Sequence, residues 1–211
     1  MNDSTKDRII KLGEVKTPEP IVKNILDLLG DLNYKSRYFE PGCGDGNFLL
    51  EILSRKIDEI FEMKETKEYV KNKYFENIEI KIFLAISSIY GVDIDAQNIN
   101  DCRLRLKNFI KDEYKKRLKS DVPDYFLNII NNVLSKNIIL GNILLDENNI
   151  VICEYSLLPA NRIQIREFDF NELLYPDNEI FRDDLKLFGH IPEVKKTHDP
   201  VNFKDLWKNK K

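Results

Sequence analysis

The sequence predicts an α/β fold built on a doubly wound, mostly parallel sheet, with an antiparallel C-terminal strand or hairpin. Three observations carry this. Short apolar runs alternate with longer stretches of helical periodicity along most of the chain. A glycine-dense segment, Glu40-Pro41-Gly42-Cys43-Gly44-Asp45-Gly46, separates one such run from one such helix. A second run, Tyr90-Gly91-Val92, ends on Asp93 and Asp95 just ahead of another helix. Sheets of this kind bind ligands beyond the carboxyl ends of their strands.

Taken in order, residues 1–15 are polar and then turn apolar at Ile9, Ile10, Leu12 and Val15. Thr17 is a good helix N-cap and Pro18 suits a first turn, after which Ile21, Val22, Ile25, Leu26, Leu28 and Leu29 keep helical spacing up to Gly30-Asp31. Tyr38-Phe39 is a short strand before the glycine loop, and Phe48, Leu49, Leu50, Ile52, Leu53 and Ile57 form the helix after it. The charged stretch 58–78 reads as helix with an exposed insertion, and Ile80 to Ile89 as a helix packed on the sheet. Tyr90 to Asp95 is a strand ending in acids, Ala96 to Leu118 a long amphipathic helix, and Asp121-Val122-Pro123 a break. Residues 124–135 read as a further helix, Ile138 to Leu140 and Ile150 to Cys153 as strands, and Arg162 to Phe170 as an alternating strand. Lys208 to Lys211 reads as a frayed tail. The expected division is a domain over residues 1–175 and an extension of the same domain over 176–211.

The 211 residues are 42% hydrophobic and 33% charged, which suits a folded domain rather than a disordered or fibrous chain. No apolar run approaches the ~18 residues of a membrane span, and the start lacks the apolar core of a signal peptide. Three cysteines without a CxxC pair predict neither a disulfide framework nor a metal centre, and a cytoplasmic location follows. The net charge of −3 argues against a surface coated for phosphate. The basic residues between Arg103 and Lys119 lie mostly off the apolar stripe and read as a solvated face. His190 and His198 read as surface residues.

Glycines at i, i+2 and i+4 let backbone approach a ligand where side chains would collide. The spacing is neither G-x-G-x-x-G nor a P-loop, since the third glycine comes early and no Lys-Ser/Thr follows. Asp93, at the strand tip, can accept both hydroxyls of a ribose, while Asp95 is placed to cap the next helix. Ile94 would then wall an adjacent ring.

Thr17-Pro18, Glu40 to Phe48, Gly91-Val92-Asp93-Ile94-Asp95 and Gly141-Asn142-Ile143 occur in that order. Together they resemble the class I S-adenosylmethionine-dependent methyltransferases. More narrowly, they resemble the N-terminal part of the amino-adenine DNA methyltransferases of restriction–modification systems. The resemblance covers about residues 12–145. It implies a Rossmann-like fold, S-adenosylmethionine as cofactor, no metal, no membrane, and DNA as a partner reached through a partner subunit. It also implies that Thr17 and Pro18 lie against the methionine part. Glu40, Pro41, Gly42, Gly44, Asp45 and Gly46 would wrap methionine and ribose, and Asp93 would hold the ribose diol. Ile94 and Ile143 would cover the adenine faces and Asn142 would bond its edge. The chain departs from the family in three places. Asn142 stands where Asp is usual, Lys16 where an aromatic is common, and the Asn/Asp-Pro-Pro-aromatic motif is missing.

That motif accepts the hydrogens of the target amine and stacks on the flipped base. The strand Ile150 to Cys153 is followed by Glu154-Tyr155-Ser156, and a slipped register gives Leu157-Leu158-Pro159-Ala160. Glu154 could accept amine hydrogens and Tyr155 could stack on a base. The plainer alternative makes Glu154 a solvated strand-end charge and Tyr155 a core aromatic. Three functions stay open: a methyltransferase with altered chemistry or a partner subunit, a catalytically silent subunit with a regulatory or assembly role, and a methyltransferase for a non-DNA acceptor.

Overall fold

The computed structural model describes residues 16–30, 33–62, 74–145, 149–170 and 193–208. Residues 1–15, the insertion within 58–78, His190 and the 175/176 boundary therefore fall wholly or partly outside the described residues. Among the described residues, no helix is long and apolar enough to cross a membrane.

The elements are α1 (Glu19–Asp27), β1 (Tyr38–Pro41), α2 (Asn47–Glu62), α3 (Tyr74–Ser87), β2 (Ile89–Asp93), α4 (Ala96–Leu118), α5 (Asp124–Asn137), β3 (Ile138–Leu140), β4 (Val151–Leu158), β5 (Arg162–Asp169), β6 (Lys196–Thr197) and β7 (Val201–Asn202). Short 3₁₀ turns cover Pro159–Asn161 and Phe203–Lys208. The chain is thus α/β, with helices where the apolar periodicity predicts them. The start of α1 differs by one residue: the N-cap is Pro18, not Thr17, and it makes no side-chain cap. Pro20 lies within the first helical turn, where a missing N–H costs nothing, so the helix begins without a hydroxyl to cap it.

The strands β1, β2 and β3 form a parallel sheet in that order, with Tyr38 opposite Ile89, Pro41 opposite Val92 and Asp93 opposite Leu140. Among the described residues β1 is an edge strand, and Phe39 on it is 37% exposed. Side chains alternate across the sheet. Gly91 faces α2, so closely that a Cβ there would lie 2.8 Å from Leu49 and 2.9 Å from the Cys43 sulfur.

The other face carries Tyr90 and Val92, which pack with Ile150, Ile152 and Phe170. The C-terminal part is antiparallel, as expected of a strand or hairpin there, but it forms a separate sheet rather than the edge of the parallel one. The run after Ile150 does not continue the parallel sheet; β4 pairs antiparallel with β5, and β6 and β7 add to β5. This second sheet lies over the Tyr90 face, with the Tyr90 hydroxyl donating to the Cys153 carbonyl at 3.1 Å. The physical reason is local. The three-residue connection Pro159-Ala160-Asn161, with Ala160 and Asn161 at φ 61° and 54°, turns β4 directly into the complementary strand β5. A tight hairpin forms at far lower loop cost than a distant parallel pairing. The 3₁₀ turn at the C-terminal end is anchored by buried Phe203 and Leu206, so Lys208 belongs to it rather than to a frayed tail.

The main core gathers one face of each helix around the sheet. Within it lies Lys56 of α2, 0% exposed. Its ammonium donates to the carbonyls of Tyr34 and Ser36 at 3.2 and 2.5 Å and to the Ser88 hydroxyl at 2.5 Å. It thereby ties the segment entering β1 to the residue before β2. Burial drives its pKa down from 10.5 to about 7, the nearby Glu59 carboxylate only partly offsetting that.

Between these two values the unfolded chain holds a proton that the folded chain has released, so the contribution of Lys56 to stability rises with pH through that window. We expect the stability difference between the wild type and Lys56→Met to grow from about pH 7 to about pH 9. At the upper end the variant should be about 1–3 kcal/mol less stable, because the carbonyls of Tyr34 and Ser36 lose a donor. Chemical denaturation of both proteins across that range checks this.

Candidate functional site

The chain leaves β1 at Pro41 and folds back over the tip of β2. The amides of Gly42 and Cys43 both donate to the Val92 carbonyl, at 2.8 and 2.9 Å. The Gly44 amide then donates to Asp93 Oδ2 at 2.8 Å. Gly44 has φ 53°, a left-handed conformation that suits glycine, and a Cβ there would stand in open space. Gly46 is glycine for two reasons: its φ is 88°, and a Cβ would lie 2.5 Å from the Cys102 sulfur of α4. The second oxygen of Asp93 accepts from the Asp95 amide at 2.8 Å and from the Asn98 side-chain amide at 3.4 Å. Asp95 separately caps α4 through the amides of Gln97 and Asn98. Asp95 thus takes the helix cap, and Asp93 is held at the strand tip by groups of the protein itself.

These turns enclose a cavity of about 610 Å³ at the carboxyl ends of the parallel strands. It is lined by Thr17, Glu40, Pro41, Gly42, Gly44, Asp45, Asp93, Ile94, Asn142 and Ile143 among the predicted residues. Pro18 and Gly46 do not line it; Pro18 opens α1 and Gly46 seats the loop on α4. Lys16, Cys43, Asn47, Phe48, Asn98 and Leu144 also line it, and of these Asn98 and Leu144 were not singled out by sequence. Asn47 and Phe48 were legible as the end of the loop motif, Phe48 also as the first apolar residue of the helix, without a role at the cavity. Asn98 stands one turn past Asp95, a spacing that reaches back toward a strand tip.

Three carboxylates share this space, each held differently. Asp45 pairs with Lys16 at 2.7 Å and with Arg105 of α4 at 2.9 Å. Arg105 also donates to the Asp45 carbonyl and to Asn47 Oδ1, while Asn47 Nδ2 donates to the Thr17 carbonyl at 3.1 Å. The Lys16–Thr17 segment is thereby strapped across the loop, with Lys16 held by its ion pair to Asp45. Asp93 is held by backbone. Glu40 is half-buried, has no hydrogen-bond or ion-pair partner among the described residues, and burial raises its carboxyl above the ordinary range. At the far wall, Asn142 Oδ1 accepts from the Leu144 amide at 3.0 Å.

Glu154 and Tyr155 lie outside this cavity. Glu154 of β4 forms ion pairs with Arg37 and, at 2.5 Å, with Arg166; its side chain is 12% exposed, so it is not a solvated charge. Tyr155 is buried edge-on against Phe83 at 5.6 Å, and burial pushes its hydroxyl far up. Burial likewise raises the Cys153 thiol to about 11. The Cys43 thiol is raised above its ordinary value by the adjacent Cys102 sulfur and by burial, so neither cysteine is an activated nucleophile. His198 is half-buried rather than at the surface, with Nε2 2.7 Å from Glu167 of β5. On α4, Arg103 donates to the carbonyls of Ile138 and Ser135, and Arg117 pairs with Glu113 and Asp58. Part of the basic face is therefore spent within the fold.

No protein-family model matches the chain. The chain is 28% identical over 107 residues to a protein of Methanocaldococcus jannaschii named as a "Putative type II restriction enzyme and methyltransferase". The match covers 50% of this chain and 8% of that protein, so the chain spans a small part of the relative's length. At this coarse level it supports a relationship to restriction–modification methyltransferases.

The Gly46–Cys102 contact gives a test of how the loop is seated. Gly46→Ala should destabilise the protein by about 1–3 kcal/mol through overpacking. Adding Cys102→Ala should return part of that loss, since it removes the sulfur while the backbone strain at φ 88° stays. A double-mutant cycle by thermal or urea denaturation reads both.

Proposed function

We propose that the cavity binds S-adenosylmethionine or its demethylated product, and that the chain is a methyltransferase-like protein related to the DNA adenine methyltransferases of restriction–modification systems. The observation that carries this reading is the convergence of the glycine loop, the strand-tip acid Asp93 and the Asn142–Ile143 turn on one cavity. Its volume falls in the usual range for small-molecule sites.

The residues present fit such a group. The loop leaves open space at Gly42 and Gly44, where backbone can meet a ligand directly. Glu40 offers a partly desolvated carboxylate suited to the cationic methionine end. Asp93 already accepts three N–H donors, two on Oδ1 and one on Oδ2, and of the about four lone-pair sites of a carboxylate one on Oδ2 remains for a ribose hydroxyl. Ile94, 54% exposed at the cavity wall, gives apolar surface for a ring. When bound, S-adenosylmethionine supplies a methyl group already activated for in-line displacement. The role of this chain's residues is to hold and align it, an effect worth ~7–11 kcal/mol when geometry is right.

Acceptor chemistry is a separate matter. The sequence lacks the Asn/Asp-Pro-Pro-aromatic motif, and Glu154 and Tyr155 are engaged outside the cavity. That observation favours a second reading, in which the chain is a cofactor-binding but catalytically silent subunit and DNA is met through a partner. A non-DNA acceptor is the remaining form of the enzyme reading.

Two experiments test this. Calorimetry with S-adenosylhomocysteine should show binding by the wild type and at least a tenfold loss in Asp93→Ala, since each charge-assisted bond is worth ~1.5–3 kcal/mol. Equal affinity in a folded variant would remove Asp93 from the site, and no binding by the folded wild type would remove the cofactor. In the second, this chain alone is incubated with unmethylated genomic DNA and labelled cofactor. It should place no appreciable label in N6-methyladenine, because losing even one preorganised acceptor costs ~10²–10³ in rate.

A further inference from the structure

The helix α1 is more apolar than its contacts within the fold require. Val22 and Leu26 are buried where it rests on α2. Ile21, Ile25, Leu28 and Leu29 are 48, 42, 85 and 59% exposed. At ~3.6 residues per turn these six side chains fall on one arc of about 160°, and the fold covers the side that carries Val22 and Leu26. The exposed side is fixed in place by backbone. Leu28 and Leu29 continue the turn beyond α1, their amides donating to the Ile25 and Leu26 carbonyls at 3.2 and 3.1 Å.

The charges of α1 lie off this arc and are paired. Lys23 meets Glu19 at 2.6 Å, and Asp27 meets Arg55 of α2 at 2.8 Å. The exposed strip therefore presents four aliphatic side chains and no charge. A partner chosen by charge has nothing to read there. The strip also lacks the tyrosine, tryptophan and arginine anchors that dominate most interfaces between unlike proteins. Its composition is that of a homodimer core, and it meets no like-charge penalty when it faces its own copy. Its layout suits this as well. Ile21 and Leu29 stand four residues on either side of Ile25. An antiparallel copy related by a two-fold axis through Ile25 sets Ile21 of one copy against Leu29 of the other, at both ends, and opposes the two helix dipoles.

We propose that the outer face of α1 is a self-association surface, which pairs with the same face of a second copy in an antiparallel, two-fold arrangement centred on Ile25. Four side chains fall short of the ~800 Å² per partner of a standard interface, so the dimer is weak and concentration-dependent. The helix starts just past Thr17, a cavity residue, so the pair holds its two cavities at opposite ends of the joined helices.

Sedimentation equilibrium of the full chain over about a hundredfold range of concentration reads the association. The mean mass should rise from that of the monomer toward twice that value. Ile25→Asp and Leu28→Asp should each weaken association at least tenfold, because each places a carboxylate in an apolar contact. Their thermal melts should change little, since both side chains face solvent in the monomer. Leu104→Asp, at an exposed position of α4, should associate as the wild type does. Ile25→Cys should form a covalent dimer on treatment with diamide, while Lys23→Cys, on the far side of the helix, should not; Cys43, Cys102 and Cys153 are all buried. A wild type that stays monomeric throughout overturns the proposal and leaves the strip to a partner of another kind. Association that survives both aspartate variants moves the contact to another face and overturns it equally. A dimer that Ile25→Cys does not cross-link overturns the two-fold arrangement.

Discussion

The Asp93 carboxylate fixes the shape of the cavity by joining segments that different elements deliver. One oxygen holds the Gly44 amide of the loop after β1, and the other holds the Asp95 amide and the Asn98 side chain at the head of α4. Its main-chain oxygen holds Gly141 at the end of β3. Bonds from backbone N–H groups to an ionised acceptor are among the stronger ones a protein makes. The neighbouring acid makes this possible: Asp95 takes over the helix cap, so Asp93 is not drawn into it.

A second tier of contacts is charged and more exposed. Arg105 reaches from α4 to both the carbonyl and the carboxylate of Asp45, and through Asn47 to the Thr17 carbonyl. Lys16 closes the same group from the other side. Exposed pairs of this kind contribute little stability individually. Their effect is geometric, since they keep the segment before α1 against the glycine loop. The rigid part lies deeper, where Cys102 fills the space beneath Gly46 and Leu49 and Cys43 fill the space over Gly91.

Much of this was legible in the sequence because it is local. Glycine spacing after a short apolar run, a strand ending in two acids, and helices of regular apolar period all announce themselves within a few residues. The cavity lining from Glu40 to Asp45 and from Asp93 to Ile94 follows from that order. The pairing of β4 was not legible: Ile150 to Cys153 is an apolar run compatible with a parallel or an antiparallel neighbour, and the hairpin connection that decides it has Ala160, not glycine, in a left-handed conformation. Lys16 could not be matched with Asp45 from sequence, since 29 residues separate them. Glu154 and Tyr155 were weighed by their place after a strand; their actual neighbours, Arg37, Arg166 and Phe83, come from distant elements. The orientation of Asn142 is a property of its turn, and composition holds no trace of it.

The position of Pro41 also bears on how the molecule behaves in company. Alternate residues of β1 turn their backbone toward β2, as the bonds from Tyr38 to Ser88 and from Gly42 to Val92 show, which leaves Phe39 and Pro41 turned outward. A bare strand edge is a template on which foreign chains can grow. Pro41 has no N–H to give, so on this four-residue edge Phe39 supplies the single outward donor, and its ring is packed at 4.9 Å against Phe170. The residue that turns the chain into the glycine loop thus also dulls the edge that β1 forms among the described residues, which lowers the risk of fibrous self-association there.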